Sequence, residues 1–166
     1  LQGDVLIRSY ANDHEFAYTY GAWLDQVKSG PSGVQIGPNA TARGGAGNYF
    51  KIPIDLSGES VLELTIRSLP GNAVQNLNVL LRTRFGPGDN DFYSSRYSLL
   101  IPKSASEAYV KVQLPLGTRK ATSGEFGPVN LTSVNEVQIQ GNYASDSKAL
   151  HLSIWEVRAT RPSTLN

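Results

Sequence analysis

The sequence predicts an all-β protein, an antiparallel β-sandwich of jelly-roll type with little or no helix, and three observations carry that prediction. Apolar residues recur at every second position in segment after segment, the pattern of a strand with one face against a core. Turn residues separate those segments at spacings of roughly 8–12 residues. Only 17% of the 166 residues are charged while 16 are Gly and 9 are Pro, a balance that suits short strands and many turns better than charge-laced surface helices.

Residues 60–68 give the cleanest alternation, with Leu62, Leu64 and Ile66 on one face and Glu63, Thr65 and Arg67 on the other. Residues 77–85 place Leu77, Val79, Leu81 and Phe85 together and leave Asn78, Leu80, Arg82 and Arg84 opposite. Residues 92–101 then alternate through Tyr93, Ser95, Tyr97, Leu99 and Ile101, and the intervening Gly86-Pro87-Gly88-Asp89-Asn90 marks the turn of a β-hairpin. Residues 109–114 turn Val110, Val112 and Leu114 inward, followed by a loop through Thr122-Ser123-Gly124 to Gly127-Pro128. Leu131-Thr132-Ser133-Val134 reads as one short helical turn before a strand over residues 137–141, where Val137 and Ile139 oppose Gln138 and Gln140. The last strand covers residues 149–159, with Leu150, Leu152 and Ile154 opposite His151, Ser153 and Trp155. Before Tyr49 the pattern is fainter. Strands are expected over residues 5–10, near 16–20 and near 34–36, and the Gly-rich stretch of residues 42–48 is read as a flexible turn or ligand-contacting loop. So many strands require a second layer, because one open sheet would leave an apolar face and long edges in water.

A chain of this length can bury about 70% of the surface its unfolded form exposes, enough for one core. It is read as a single sandwich domain over residues 1–166, cut from a larger multidomain protein, with a linker beginning at 161–166. Lys plus Arg (15) nearly cancels Asp plus Glu (14), so the net charge of +1 offers no broad attraction for nucleic acid. With no cysteine, disulfide scaffolds, thiolate zinc sites and cysteine nucleophiles are closed. No stretch approaches the roughly 20 apolar residues of a membrane span. The start, Leu1-Gln2-Gly3-Asp4, lacks a basic segment followed by an apolar run.

If the aliphatic residues face the core, the opposite faces gather Glu63, Arg67, Arg82, Arg84, Gln138 and Gln140 into a polar surface. Such fork-shaped and amide groups hydrogen-bond sugar hydroxyls, and aromatic rings stack on pyranose C–H faces. Tyr97 and Trp23 are the candidate stacking rings, Trp23 in competition with a place at the rim of the core. Tyr18, Tyr20, Tyr49, Tyr93 and Tyr143 stand in segments read as loops or strand ends, and Trp155 as partly exposed or packed under a loop. Arginines at alternate positions would also grip carboxylate or sulfate, so an acidic plant or algal polysaccharide is among the expected ligands. The competing reading is a solvated sheet with cross-strand ion pairs among Arg67, Arg82 and Glu63. No motif arranges His14 or His151 for general base work, and the carboxylates Asp25, Asp55, Glu63, Asp91, Glu107, Glu125, Glu136 and Glu156 are not paired by sequence.

From Tyr49 onward the order of segments resembles the galactose-binding-like jelly rolls used as carbohydrate-binding modules, a group that includes ancillary domains of β-agarases and β-glucanases. The residues carrying the resemblance are Ile54-Asp55-Leu56-Ser57-Gly58 before the Leu62-Leu64-Ile66 strand, Pro70-Gly71-Asn72, and Asn76 to Arg82 ending in a Gly-rich turn. Val137 to Gly141 and the closing strand Leu150 to Arg158 complete it. The resemblance implies non-catalytic binding of a polysaccharide or oligosaccharide, a catalytic domain in the same parent chain, and a secreted or cell-surface location. A structural or adhesive module that contacts protein is the alternative, with a polysaccharide lyase or glycoside hydrolase behind it. Related modules often hold a structural calcium through a last-strand carboxylate where this chain has Trp155 followed by Glu156. No cofactor is expected to be required, and calcium would have to draw on Glu156 with Asp13 or Glu15.

Overall fold

The computed structural model describes residues 4–106, 108–117, 127–142 and 147–161. Among these residues eleven strands run in chain order: β1 (Asp4–Ser9), β2 (Tyr18–Gly21), β3 (Val27–Gly30), β4 (Gly33–Thr41), β5 (Gly44–Ile54), β6 (Val61–Ser68), β7 (Asn76–Arg84), β8 (Phe92–Leu100), β9 (Val110–Pro115), β10 (Val134–Gly141) and β11 (Ala149–Thr160). The pairings are antiparallel and build two sheets. Sheet A has the order β3-β4-β11-β6-β9, with β1 also on β11; sheet B has the order β2-β5-β10-β7-β8.

The core lies between the sheets and is filled by the residues that alternation turns inward. Sheet A contributes Ile36, Leu62, Leu64, Ile66, Leu152 and Ile154, and sheet B contributes Leu77, Val79, Leu81, Val137 and Ile139, all buried in one cluster. Burial of each such side chain stabilises the fold by about 1.5–3 kcal/mol. No helix among the described residues is long and apolar enough to cross a membrane.

Two local expectations are corrected and one strand is added. Of residues 42–48 only Ala42 and Arg43 turn the chain; Gly44 opens β5, which pairs with β2 on one side and β10 on the other. Residues 131–134 form no helix; Asn130 Oδ1 takes hydrogen bonds from the Thr132 amide (3.1 Å) and hydroxyl (2.7 Å), and that turn delivers the chain into β10 at Val134. A short 3₁₀ turn occupies Lys103–Ser106 instead. β3, unforeseen, pairs with β4 through a hairpin at Pro31-Ser32. Tyr143, Glu107, Glu125, the loop residues 122–124 and the tail beyond Arg161 lie outside the described residues.

Candidate functional site

The outer face of sheet B is a polar and aromatic surface assembled from all five strands. Alternation puts Glu136, Gln138 and Gln140 of β10 on it, in register with Arg82, Leu80 and Asn78 of β7 and with Tyr49, Gly47 and Gly45 of β5. Across β7, β8 adds Ser94, Arg96 and Ser98 opposite Arg82, Leu80 and Asn78, with Phe92 opposite Arg84. At the other edge Tyr18 and Tyr20 of β2 pair with Gly47 and Gly45.

The glycines of β5 explain how those tyrosines reach the site. Tyr20 lies over Gly45 and Tyr18 over Gly47, so close that a Cβ on either glycine would stand 2.6 Å from the tyrosine Cζ. Laid across β5, each phenol arrives at β10. Tyr18 donates to Glu136 Oε2 at 2.5 Å, and Tyr20 to Gln138 Oε1 at 2.6 Å. Gln138 Nε2 donates back to the Tyr18 oxygen at 2.9 Å, and Gln140 Nε2 to that of Tyr20 at 3.0 Å. Asn78 Nδ2 continues the chain to Gln140 Oε1 (3.4 Å), and Ser98 donates to Asn78 Oδ1 (2.9 Å). One hydrogen-bonded row therefore crosses the face from β2 to β8, fixing the orientation of each amide and hydroxyl.

Glu136 anchors one end of this row. It has no exposure to solvent, and Arg84 Nε (2.5 Å) and Arg82 Nη1 (3.4 Å) both hold its carboxylate. Burial first, and then the negative charge of Glu136, push the Tyr18 phenol well above the ordinary tyrosine range, so Tyr18 stays a neutral donor. The Arg82 guanidinium stacks 4.1 Å from the Phe92 ring centroid, and Arg84 lies between Phe92 (5.0 Å) and Tyr49 (5.6 Å). Tyr49 leans on Tyr18 at 5.2 Å yet remains 54% exposed, the open ring of the surface. Arg96 brings a buried Nε with no hydrogen-bond partner among the described residues.

Of the eight residues the sequence nominated, four come together here: Arg82, Arg84, Gln138 and Gln140. Glu63 and Arg67 do not join them. Their strand, β6, belongs to sheet A, where both occupy the outer face on the far side of the sandwich and Glu63 accepts from Gln113 Nε2 (2.8 Å). Tyr97 is a correction as a stacking ring, and of the two places weighed for Trp23 the core one holds, since both are fully buried. The Trp23 indole donates to the Thr41 carbonyl (2.9 Å) and packs against Gly44, while Tyr97 points into the core and donates to the Leu116 carbonyl (2.8 Å). The cross-strand ion pairs expected among Glu63, Arg67 and Arg82 give way to the Glu136 pairs. Tyr18, Tyr20, Tyr49, Phe92, Arg96 and Glu136 were missing from the nominated set. Their signal was the same alternation: Phe92, Ser94, Arg96 and Ser98 are the residues between those that Tyr97 and Leu99 carry inward.

The carboxylate considered for calcium, Glu156, is held by Arg158 through Nε (2.8 Å) and Nη2 (3.3 Å). Among the described residues no three His, Asp or Glu side chains converge as a metal site would require.

No family model matches the chain, and no curated protein matches it in sequence. Its fold is nevertheless shared with solved structures. It superposes on a family 11 carbohydrate-binding module from Clostridium thermocellum in complex with a β-1,3-1,4-mixed-linked tetrasaccharide, with a TM-score of 0.66 at 12% identity over 96% of both chains. A family 30 carbohydrate-binding module gives 0.60 at 12% identity over 96% of this chain and 99% of that one. An agarase gives 0.52 at 10% identity, with 99% of this chain matching 25% of the enzyme. The jelly-roll sandwich expected from the sequence is thus the fold of carbohydrate-binding modules.

Proposed function

We propose that this chain is a non-catalytic carbohydrate-binding module whose ligand lies along the outer face of sheet B. The observation that carries the reading is the hydrogen-bonded row from Glu136 through Tyr18, Gln138, Tyr20, Gln140 and Asn78 to Ser98, with the exposed Tyr49 ring beside it. A row of fixed donors and acceptors suits the repeating hydroxyls of a sugar chain, and an open ring suits a pyranose face. The fold supports the same reading, since a family 11 module of this architecture holds a mixed-linked tetrasaccharide.

The engagement of both β7 arginines favours a neutral polymer. Arg82 and Arg84 share the Glu136 carboxylate, so their forks are already occupied and are not open to a ligand carboxylate or sulfate. Hydrolysis of a glycosidic bond ordinarily needs two carboxyl groups flanking it. Glu136 is the sole acidic side chain in the five strands of sheet B, and it is sealed from solvent by its ion pairs. Such a module works where polysaccharide is, outside the cell, and concentrates an attached catalytic domain on its polymer.

Affinity electrophoresis through gels containing mixed-linkage β-glucan, agarose or pectate tests the reading. One neutral gel should retard the protein, and alanine at both Tyr49 and Gln140 should weaken that affinity at least tenfold. Retardation by pectate alone would overturn the neutral assignment, and an unchanged affinity in the double variant would remove this face.

A further inference from the structure

A second aromatic surface lies across the sandwich, on the outer face of sheet A. The register of β11 against β6 shifts between Ile154 and Glu156, and the residue caught in that bulge is Trp155. Bulges re-aim side chains, and this indole stands 44% exposed. Tyr109 packs on it with ring centroids 5.5 Å apart at 58°. The Tyr109 hydroxyl is pinned by the Ser32 carbonyl (2.6 Å) and the Ser153 hydroxyl (2.5 Å), so the pair is a fixed platform. Beside it opens a hollow of about 580 Å³, walled by Asn12 and Pro31, a volume within the range of small-ligand sites. On the other side of Tyr109 a hollow of about 290 Å³ is bordered by Lys28, Gln35 and Arg67.

The wall of the larger hollow is itself held in an uncommon shape. Asn12 (φ 56°) and Asp13 (φ 64°) are consecutive left-handed residues, tied by their amides to the Pro31 (3.0 Å) and Gly30 (2.9 Å) carbonyls of the β3–β4 hairpin. Held conformations of this kind recur at ligand clamps. An open indole face, a locked neighbouring ring and flanking amide and hydroxyl groups are the elements of a sugar-stacking site.

We propose that Trp155 and Tyr109 form a second saccharide site, separate from the sheet B face, that stacks a neutral pyranose of the same polymer. The inference rests on the saccharide-binding reading above. A module with a site on each sheet engages two polymer strands, or one strand twice, and gains avidity without a larger surface.

The two tryptophans make the test direct, because Trp23 is fully buried against β5 while Trp155 is 44% exposed, so a blue shift that survives loss of the sheet B face reports Trp155. The full chain is titrated with mixed-linkage β-glucan tetrasaccharide and with an agarose-derived tetrasaccharide while tryptophan emission is followed. A blue shift is expected with the sugar whose polymer retards the protein, and it should persist in the Tyr49→Ala, Gln140→Ala variant. Adding Trp155→Ala to that variant should abolish its residual retardation. If the polymer retards the wild type while emission stays still, the second site is overturned and the sheet B reading stands. An emission shift that vanishes with the sheet B substitutions also overturns it, since the signal then originates on the other face.

Discussion

Glu136 sits wholly out of water in β10, and its two oxygens take hydrogen bonds from Tyr18, Arg82 and Arg84. Removing one member of a buried charge cluster costs about 3–5 kcal/mol, because the remaining charges keep their desolvation and lose their partner. Glu136→Ala should therefore lower the unfolding free energy in urea by about that much, and a loss below about 1 kcal/mol would mean the arginines find other partners. The same coupling makes paired alanines at Arg82 and Arg84 a poor probe of binding, since they would strand the carboxylate. Tyr18 adds a pH dependence whose sign is fixed. Its folded-state pKa lies above the ordinary 10.0, so its stabilisation is complete below pH 10 and is lost as pH rises further. Tyr10, raised by burial, acts in the same direction. The melting temperature should fall from about pH 10 upward, and Tyr18→Phe should make that fall shallower; parallel curves would contradict the linkage.

At the level of the strand, β5 shows both what could be read in advance and what could not. Alternation of aliphatic and polar residues located β6, β7, β8, β10 and β11 within a few residues, and it assigned Arg82, Arg84, Gln138 and Gln140 to one side of their strands. Glycine has no side chain to alternate, so Gly44, Gly45 and Gly47 carried turn chemistry to the eye although they lie in the middle of a sheet. The missing half of the pattern was in β2, where Tyr18 and Tyr20 at a spacing of two supply the rings that occupy the space above Gly47 and Gly45, while Trp23 fills the space at Gly44. Gly47→Ala should consequently drive Tyr18 off β5, because its Cβ would meet both the phenol and, at 2.6 Å, the Val137 carbonyl. A stability loss of about 1–3 kcal/mol together with weakened glycan retention is expected, and wild-type behaviour in both would contradict this role for the glycine.

Over the whole molecule, the information that strand patterns lack is which sheet each strand enters. Pairing is long-range: β6 and β7 are neighbours in sequence yet lie in opposite sheets, which is why Glu63 and Arg67 part company with Arg82 and Arg84. Large aromatics mislead in a related way, because Trp23 and Tyr97 carry polar atoms that a carbonyl in the interior satisfies as well as solvent or sugar would. Once the sheets are assembled, the sandwich presents two unlike surfaces, a cross-strand polar row on sheet B and an aromatic pair at a bulge on sheet A. The saccharide assignment for sheet B is tested most directly by mapping amide and side-chain NMR shifts while an isotope-labelled sample is titrated with the tetrasaccharide whose polymer retards it. Perturbations concentrated at Tyr18, Tyr20, Tyr49, Arg96, Gln138 and Gln140 are expected, whereas a saturable response that leaves all six unmoved would contradict a ligand on that face.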